Sequence, residues 1–292
     1  MTFEVHKAKG YLVEGWPLLD QLASGFAAGG TATLILHPLD LLKTRFQATT
    51  TSDNRAKFAV AREMKRIYHT GGVKGLYRGF SANFTGSTLS WGLYFLLYRW
   101  IQHRWEPPLA GWQYFISAGS AGMLTVLATN PIWLAKTRLC QPGPQIYTGL
   151  ADCLRRTVMT EGVLGLYRGL IPGLIGTSHG AVQFLAYESL KGKYREMSSG
   201  KLPSVPEYLL MSSVAKVTAS TVTYPYQVAR CRLQMSGGQF VSLGDVITKT
   251  FRNEGIAGFY KGIAPSTIRV LPGTCITFLV YEKLSTFFRT NA

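Results

Sequence analysis

The sequence has few charged residues, and acidic residues are only about half as frequent as basic ones. Of the 292 residues, 16% are charged and 47% are hydrophobic, with 15 Asp and Glu against 31 Lys and Arg. Soluble domains usually carry more charge than this, so the composition favours a membrane protein. The net charge of +16 favours an anionic partner, but it does not distinguish nucleic acid, lipid and a soluble anion.

The residue patterns of common chemical sites are also missing. Cys140, Cys153, Cys231 and Cys275 are scattered, without a C-x-x-C pair or zinc-ligand spacing to the histidines. We therefore predict neither a metal site nor a disulfide framework. The histidines show no nucleophile–base spacing and no G-x-G-x-x-G follows a strand pattern, so we predict no catalytic residues and no enzyme activity. The first residues resemble neither a secretory signal nor a transit peptide, so we expect internal targeting information.

Two short blocks, by contrast, each occur three times. The first begins with proline and reads PLDLLKTRFQ at 38–47, PIWLAKTRLCQ at 131–141 and PYQVARCRLQ at 225–234. The second reads GGVKGLYRG at 71–79, EGVLGLYRG at 161–169 and EGIAGFYKG at 254–262. Matched pairs at near-equal spacing predict three structural repeats, over 1–108, 109–200 and 201–292.

Apolar segments rich in small residues flank these blocks, each about as long as the ~20 residues that a membrane-spanning helix needs. They cover 17–46, 80–103, 112–141, 170–193, 206–235 and 263–289. None is an uninterrupted apolar run, since Asn83, His179, Lys216 and Arg269 lie within them. A charged side chain at mid-bilayer costs about 2.5–3.5 kcal/mol or more unless it faces protein or water. We therefore predict an all-α membrane protein whose six transmembrane helices surround a polar cavity.

The connections at 47–79, 142–169 and 235–262 are basic. Together they carry 13 Lys and Arg against 6 Asp and Glu. The positive-inside rule predicts that these three connections lie on one side of the membrane and that both termini lie on the other.

The repeated blocks follow, with departures, the pattern P-x-[D/E]-x-x-[K/R]-x-[K/R] and then [D/E]-G-x4-aromatic-[K/R]-G. In this respect the chain resembles the mitochondrial carrier family over essentially its whole length. The resemblance implies three two-helix repeats, each with a short matrix helix, around one substrate site that opens alternately to the two sides. It also implies a monomer in the mitochondrial inner membrane, with both termini in the intermembrane space and no cofactor.

Two gates follow from this resemblance. Proline removes a helix hydrogen bond. Pro38, Pro131 and Pro225 are therefore expected to kink the first, third and fifth transmembrane helices and bring their matrix ends together. The resemblance implies that Asp40 pairs with Lys136 there, and that Lys191 pairs with Glu282 at the cytoplasmic side. The matrix gate comprises Asp40, Lys43, Gln47, Lys136, Gln227, Arg230 and Gln234. The cytoplasmic gate comprises Arg99, Gln102, Glu188, Lys191, Glu282 and Ser285.

Both gates depart from the family pattern. Trp133 and Gln227 stand where the signature has acids, and Cys140 replaces a bracing glutamine. Lys43 and Arg230 consequently have no acidic partner from the motif. A hydrated ion pair contributes only about 0–1 kcal/mol, so we predict weak gates and transport that does not require exchange.

The resemblance places substrate contacts seven residues after the glycine that closes each second block. The contact residues implied are Gly86, Gly176 and Arg269, with their neighbours Ser87, Thr177 and Val270. Two glycines leave room for a planar ring, and an arginine binds carboxylate or phosphate. Lys216 occupies a helix-packing position and is expected to enter the cavity, while Trp91 and Trp133 are candidates for stacking on a ring.

Trp133 and segments such as NPIWLAKTRL (130–139) resemble the branch of the family that carries NAD, FAD, folate and pyrimidine nucleotides. FAD is the favoured substrate because its pyrophosphate suits Arg269 and Lys216. Folate, NAD and a pyrimidine nucleotide remain alternatives, and a proton-conducting or scaffold role on the same fold remains open. No nucleic-acid partner is expected, since many basic residues lie at the ends of apolar helices.

Glycine-rich turns near the short helices offer backbone N–H groups to phosphates. In the family such turns resemble cardiolipin sites, and the positions that fit are Gly72, Gly149, Gly162 and Gly255.

Overall fold

The structure, a computed structural model, describes residues 17–49, 59–105, 110–198, 203–235 and 240–290, and these ranges contain helices and no strand. The long helices are α1 (Pro17–Ala48), α3 (Phe80–Gln102), α4 (Gly111–Cys140), α7 (Ser178–Met197), α8 (Val205–Gln234) and α11 (Val270–Thr290). The short ones are α2 (Ala59–Leu76), α5 (Leu150–Gly165), α6 (Leu170–Ile175), α9 (Leu243–Glu254) and α10 (Ile263–Ile268), with a 3-10 helix at Ile256–Tyr260. The predicted all-α architecture is confirmed.

The predicted apolar segments correspond closely to these helices. The bounds of α1, α3, α4 and α8 lie within two residues of the predicted ones. The fourth and sixth segments are each divided into a short and a long helix, by a turn at Gly176–Thr177 and at Arg269. The sequence did not predict these breaks, which fall at the expected substrate-contact positions.

Pro38, Pro131 and Pro225 lie inside α1, α4 and α8, as predicted. At about 1.5 Å per residue, these helices of 30 to 32 residues are longer than a ~30 Å hydrocarbon core. Two stretches of the described residues, Gly111–Cys140 and Ile256–Leu284, are long and apolar enough to cross a membrane by length and composition alone. The other described long helices do not meet that test.

The helices pack as a ring. The most extensive contacts join α3 to α4, α7 to α8 and α11 back to α1, so the end of each repeat packs on the first helix of the next. Each short helix contacts the first long helix of its own repeat: α2 contacts α1, α5 contacts α4 and α9 contacts α8. This arrangement puts the ends of α1, α4 and α8 next to one another at the side that carries the short helices.

Glycines with positive φ shape the second repeated block. Gly72, Gly162 and Gly255 have φ of 59°, 73° and 65°, where side chains with a Cβ are strained. Gly72 and Gly162 kink α2 and α5 near their ends, and Gly255 ends α9. The next helix then begins after Gly79, Gly169 or Gly262, which lie in the left-handed region.

Buried ion pairs fix α5 to α4 in the second repeat and α9 to α8 in the third. Arg138 lies 2.6 Å from Glu161, and Arg232 lies 2.8 Å from Glu254. The side chains of both arginines are at most 1% exposed. Removing one partner from such a pair leaves an uncompensated buried charge and typically costs about 3–5 kcal/mol.

Candidate functional site

Four cationic side chains lie around one carboxylate, that of Asp40, towards the ends of α1, α4 and α8. Lys43 and Lys216 each lie within electrostatic range of Arg269 and Asp40, and Lys136 acts on Lys43 as well. Arg269 donates to Asp40 Oδ1 through a short contact between the third and first repeats. The cluster is therefore net positive, and Lys216, which is exposed, extends it along α8. Such a site attracts anions.

Polar links between repeats connect the same helix ends. Lys43 Nζ donates to Gln227 Oε1 at 3.0 Å, and it lies 5.8 Å from the centre of the Tyr224 ring. Lys136 Nζ donates to Thr44 Oγ1 at 2.9 Å. These bonds tie α1 to α8 and α4 to α1. Both acceptors are neutral, which the missing acid led us to expect for Lys43 but not for Lys136.

The expected pair of Asp40 with Lys136 is not formed, and that expectation is corrected. Arg269 takes the Asp40 carboxylate, so Lys136 bonds to the Thr44 hydroxyl instead. The physical reason is competition for a single carboxylate among the cations around it. A planar guanidinium presents several donors to a carboxylate and competes well against an ammonium.

Further contacts brace this end. Thr137 donates to Gln234 Oε1 at 2.9 Å, and the Gln47 carbonyl accepts from Arg232 Nε at 3.2 Å. In the second repeat, Cys140 Sγ donates weakly to a carbonyl of the first repeat, that of Arg78, at 3.4 Å. Arg230 Nη2 donates to Asn130 Oδ1 at 3.4 Å.

At the opposite end the expected ion pair between repeats is absent from the described residues. Lys191 instead lies 3.5 Å from Glu188, one turn away on α7, so the predicted Lys191–Glu282 pair is not formed in this conformation. Glu282 and Arg99 are exposed and Gln102 is partly exposed. Ser285 lies in α11, but its side chain is outside the described part. Among the described residues, one ion pair joins different repeats, Arg269 with Asp40, and Asp40 lies towards the short-helix end of α1.

The two glycines expected at the substrate site are covered by side chains, which corrects the idea that they leave open backbone. A Cβ on Gly86 would meet Ile132 at 3.2 Å and Trp133 at 3.5 Å. A Cβ on Gly176 would meet Tyr226 at 3.2 Å, and the Tyr226 hydroxyl donates to the Gly176 carbonyl at 3.3 Å. Gly86 thus lets the Trp133 ring of α4 pack against α3, and Gly176 lets the Tyr226 ring of α8 pack against the turn between α6 and α7.

The remaining expected contact residues have different surroundings. Trp133 Nε1 donates to Ser90 Oγ at 3.2 Å, so its indole is held between α4 and α3. Trp91 is 63% exposed and stacks on Phe95 of its own helix, 5.8 Å between ring centres. The structure does not bring these two tryptophans together in a ring contact.

Ser87 and Thr177 are partly exposed and Val270 is buried. Thr177 is oriented by its bond to the Leu174 carbonyl at 2.8 Å.

Sequence reasoning missed three residues that this region uses, Thr44, Asn130 and Tyr226. Thr44 and Tyr226 lie inside the repeated blocks but outside their defined positions, and Asn130 directly precedes a signature proline. The available signals were the position of Thr44 between two basic signature residues and those of Asn130 and Tyr226 beside signature prolines.

The four glycines proposed for phosphate binding fall into two classes. Gly72, Gly162 and Gly255 have positive φ, whereas Gly149 is extended and precedes α5. The backbone N–H of Thr148 beside it donates to Asp152, a carboxylate in the first turn of α5, at 3.0 Å. This bond lowers the pKa of Asp152, since the ionised carboxylate is the better acceptor.

Comparison with known proteins agrees with the three repeats. A family profile described as mitochondrial carrier protein matches three times, over residues 15–109, 107–198 and 201–292. The chain belongs to the mitochondrial carrier family. Its fold is accordingly the six-helix carrier fold, and its family comprises transporters rather than enzymes.

Relatives of this carrier have names that cover several substrates. The chain is 37% identical to the chloroplastic folate transporter 1 of Arabidopsis thaliana, over 91% of this chain and 94% of that protein. It is 35% identical to the mitochondrial FAD carrier protein of Saccharomyces cerevisiae, over 92% and 96%. It is also 35% identical to the mitochondrial nicotinamide adenine dinucleotide transporter 2 of Arabidopsis thaliana, over 91% and 78%.

Proposed function

We propose that this carrier moves FAD across the mitochondrial inner membrane by alternating access through the central cationic cluster. The observation that carries the proposal is the arrangement of Lys43, Lys136, Lys216 and Arg269 around the single carboxylate of Asp40. The anionic pyrophosphate of FAD complements this excess of positive charge, and an arginine fork binds phosphate oxygens in a bidentate manner. The identity to a named FAD carrier supports the same substrate.

Aromatic side chains near the cluster suit the flavin ring. Trp133 and Tyr226 lie against Gly86 and Gly176 on two of the three repeats. Offset stacking of an aromatic ligand on such a ring adds about 0.5–1.5 kcal/mol beyond the burial of area.

Binding at Arg269 is coupled to the gate through Asp40. In this conformation Arg269 donates to Asp40, and this contact joins the third repeat to the first. A substrate anion that takes Arg269 frees the Asp40 carboxylate and removes that link. Since a ligand shifts an equilibrium by its differential affinity for the two states, competition of this kind favours opening at the short-helix end.

Folate is the second candidate substrate. A folate also combines a fused ring with anionic groups, and a relative named as a folate transporter is 37% identical to this chain. NAD meets the same requirements and is the substrate named for other relatives.

The remaining features of the proposal follow the family. The short helices face the matrix, both termini face the intermembrane space, and the carrier works as a monomer with cardiolipin at the glycine turns. Neutral acceptors for Lys43 and Lys136 support weak gates and net uptake without exchange.

The test is a thermal-stability screen of the purified protein with FAD, FMN, riboflavin, NAD, folates and pyrimidine nucleotides. A ligand that binds only the folded state raises the apparent stability by about 2.7 kcal/mol at a hundredfold excess over its Kd. FAD should give the largest shift and riboflavin, which lacks phosphate, none. A larger shift with folate would select the second candidate, and a shift with neither would refute the proposal.

A further inference from the structure

The residue two places after each signature proline links its helix to the preceding repeat in the ring, by different chemistry each time. Asp40 on α1 accepts from Arg269, at the break before α11. Trp133 on α4 donates to Ser90 on α3 at 3.2 Å. Gln227 on α8 occupies the third of these positions, and its link to α7 runs through an intermediate side chain.

The intermediate side chain is Thr223, which is buried and lies one turn before Gln227 on α8. Gln227 Nε2 donates to Thr223 Oγ1 at 3.3 Å, and His179 Nδ1 on α7 lies 2.9 Å from the same oxygen. At its other end, Gln227 Oε1 accepts from Lys43 Nζ on α1 at 3.0 Å. A continuous chain of hydrogen bonds therefore joins α7, α8 and α1, which belong to three different repeats.

The direction of each bond in this chain follows from the Thr223 hydroxyl. Its one proton goes to the Ala219 carbonyl at 2.6 Å, so its oxygen accepts from both of its other partners. His179 Nδ1 therefore carries a proton and donates, and the Ala219 carbonyl also accepts from this ring. The Gln227 amide likewise turns its N–H towards Thr223 and its oxygen towards Lys43.

The orientation of the Gln227 amide decides whether Lys43 has an acceptor. An ammonium group has donors only, so it needs the oxygen end of the amide. A hydroxyl has one donor and two acceptor sites, and all three are used at Thr223. Without the His179 donor, the hydroxyl is free to rotate and donate to the Gln227 oxygen, which lets the amide turn its N–H groups towards Lys43.

The break between α6 and α7 places His179 beside the cationic cluster. The turn lies at Gly176–Thr177, and the backbone N–H of His179 donates to the Gly176 carbonyl at 3.1 Å. The ring is partly buried, and Lys43 and Lys216 both lie within electrostatic range of it. His179 therefore lies between the expected substrate contact, two residues earlier, and the gate.

Histidine at this position is particular to the second repeat. Counted from the glycine that closes each second block, His179 corresponds to Leu89 and Pro272. Neither leucine nor proline has a polar side-chain group, so packing of this segment on the next long helix does not by itself require one.

We propose that His179 is a positioning residue of the gate, which holds Gln227, through Thr223, in the orientation that accepts from Lys43. The inference rests on the proposed transport function and extends it to a link between binding and gating. A movement of α7 that takes His179 away from Thr223 frees the hydroxyl and then the amide, which ends the bond between α8 and α1. A substrate bound at Thr177 acts on the gate through this chain.

The test compares His179→Asn, which keeps an N–H donor near the Nδ1 position, with His179→Leu, which matches asparagine in size and has no donor. In purified protein without substrate, His179→Asn should melt at the higher temperature. The same pair is then measured together with Gln227→Leu, which removes the amide. Coupled residues do not contribute additively, so the difference in melting temperature should shrink in that background. An equal difference in both backgrounds would overturn the proposal.

Thr223→Val decides the question if Gln227→Leu fails to fold. Valine keeps the shape of threonine and removes the hydroxyl that joins the chain. Adding His179→Leu to Thr223→Val should lower the melting temperature little further, because His179 then has no hydroxyl to act through. A full additional fall contradicts the relay.

Proteoliposomes test the effect on the gate, with FAD or with whichever ligand of the stability screen is taken up. His179→Leu should raise uptake into unloaded vesicles relative to uptake into substrate-loaded vesicles, whereas His179→Asn should keep the wild-type ratio. An unchanged ratio in His179→Leu overturns the gating role. Absence of FAD uptake by wild type would instead refute the proposed substrate, and the melting comparison, which contains no substrate, would still decide the role of His179.

Discussion

At the scale of single residues, one carboxylate serves two purposes. Asp40 accepts from Arg269 and lies near Lys43, towards the ends of α1, α4 and α8. Its negative charge reduces the net positive charge of the site. Its carboxylate also binds the Arg269 guanidinium, the group best suited to bind phosphate. We therefore regard Asp40 as an internal competitor of the substrate.

Replacing Asp40 by Asn should tighten FAD binding. The neutral amide competes less for Arg269, so we expect the Kd of FAD to fall about tenfold, which corresponds to about 1.4 kcal/mol. Titration of the purified variant by calorimetry measures this. Glu188→Gln is the matched control, because Glu188 is exposed and pairs within its own helix, and its Kd should match wild type. Weaker binding by Asp40→Asn would show that Asp40 supports the site rather than competes for it.

Sequence patterns predicted which residues lie near the centre, but not how they pair. The repeated block predicted Asp40 and Lys136 as members of the matrix gate, and the family resemblance predicted Arg269 as a substrate contact. Arg269 and Asp40 lie 229 positions apart in the chain, and the choice between two cations depends on differences of a few ångströms between packed helices. A sequence motif carries no such distance.

At the scale of helices, the sequence predicted the number and extent of the long elements well, because repeats and apolar length both constrain them. It did not predict that Gly86 and Gly176 are covered by Trp133 and Tyr226. A glycine signals close approach of another group, but it does not say whether that group is a ligand or a side chain of the neighbouring helix. Packing of α3 on α4 and of α7 on α8 decided this.

Replacing Gly176 by Ala should destabilise the carrier. The new Cβ would lie 2.9 Å from the Gly173 carbonyl and 3.2 Å from the Tyr226 ring, and overpacking of this kind costs about 1–3 kcal/mol. The melting temperature in detergent measures the effect. Gly180→Ala, one turn along the same segment, is the control, because its Cβ meets nothing within 4 Å. If both variants melt at the same temperature, the covering of Gly176 is not as tight as described.

At the scale of the whole molecule, the three repeats share one backbone plan but differ in charge. Trp133 and Gln227 replace acids of the gate, and Gly71 replaces the acid of the second block. The links between repeats at the short-helix end consequently depend on neutral acceptors, apart from the Arg269–Asp40 contact. We expect a gate of this kind to open at a low free-energy cost.

Replacing Gln227 by Glu should strengthen the gate and change the mode of transport. Lys43 Nζ already lies 3.0 Å from the Gln227 side chain, so a carboxylate there forms an ion pair across α1 and α8. In proteoliposomes we expect uptake into unloaded vesicles to fall relative to uptake into substrate-loaded vesicles. Gln113→Glu at the start of α4 is the control, since Gln113 lies outside both gates and its side-chain oxygen accepts from the Ala110 backbone N–H, as a glutamate there would. Wild-type protein that takes up substrate only when vesicles are preloaded would contradict the weak-gate proposal.

The most direct test of the central proposal is FAD uptake by proteoliposomes that contain wild type, Arg269→Ala or Lys216→Ala. If the cationic cluster binds the pyrophosphate of FAD, wild type takes up FAD saturably. Each variant then loses about tenfold or more in kcat/KM, about 1.4 kcal/mol of lost interaction. Wild-type rates of FAD uptake in both variants would contradict the assigned site.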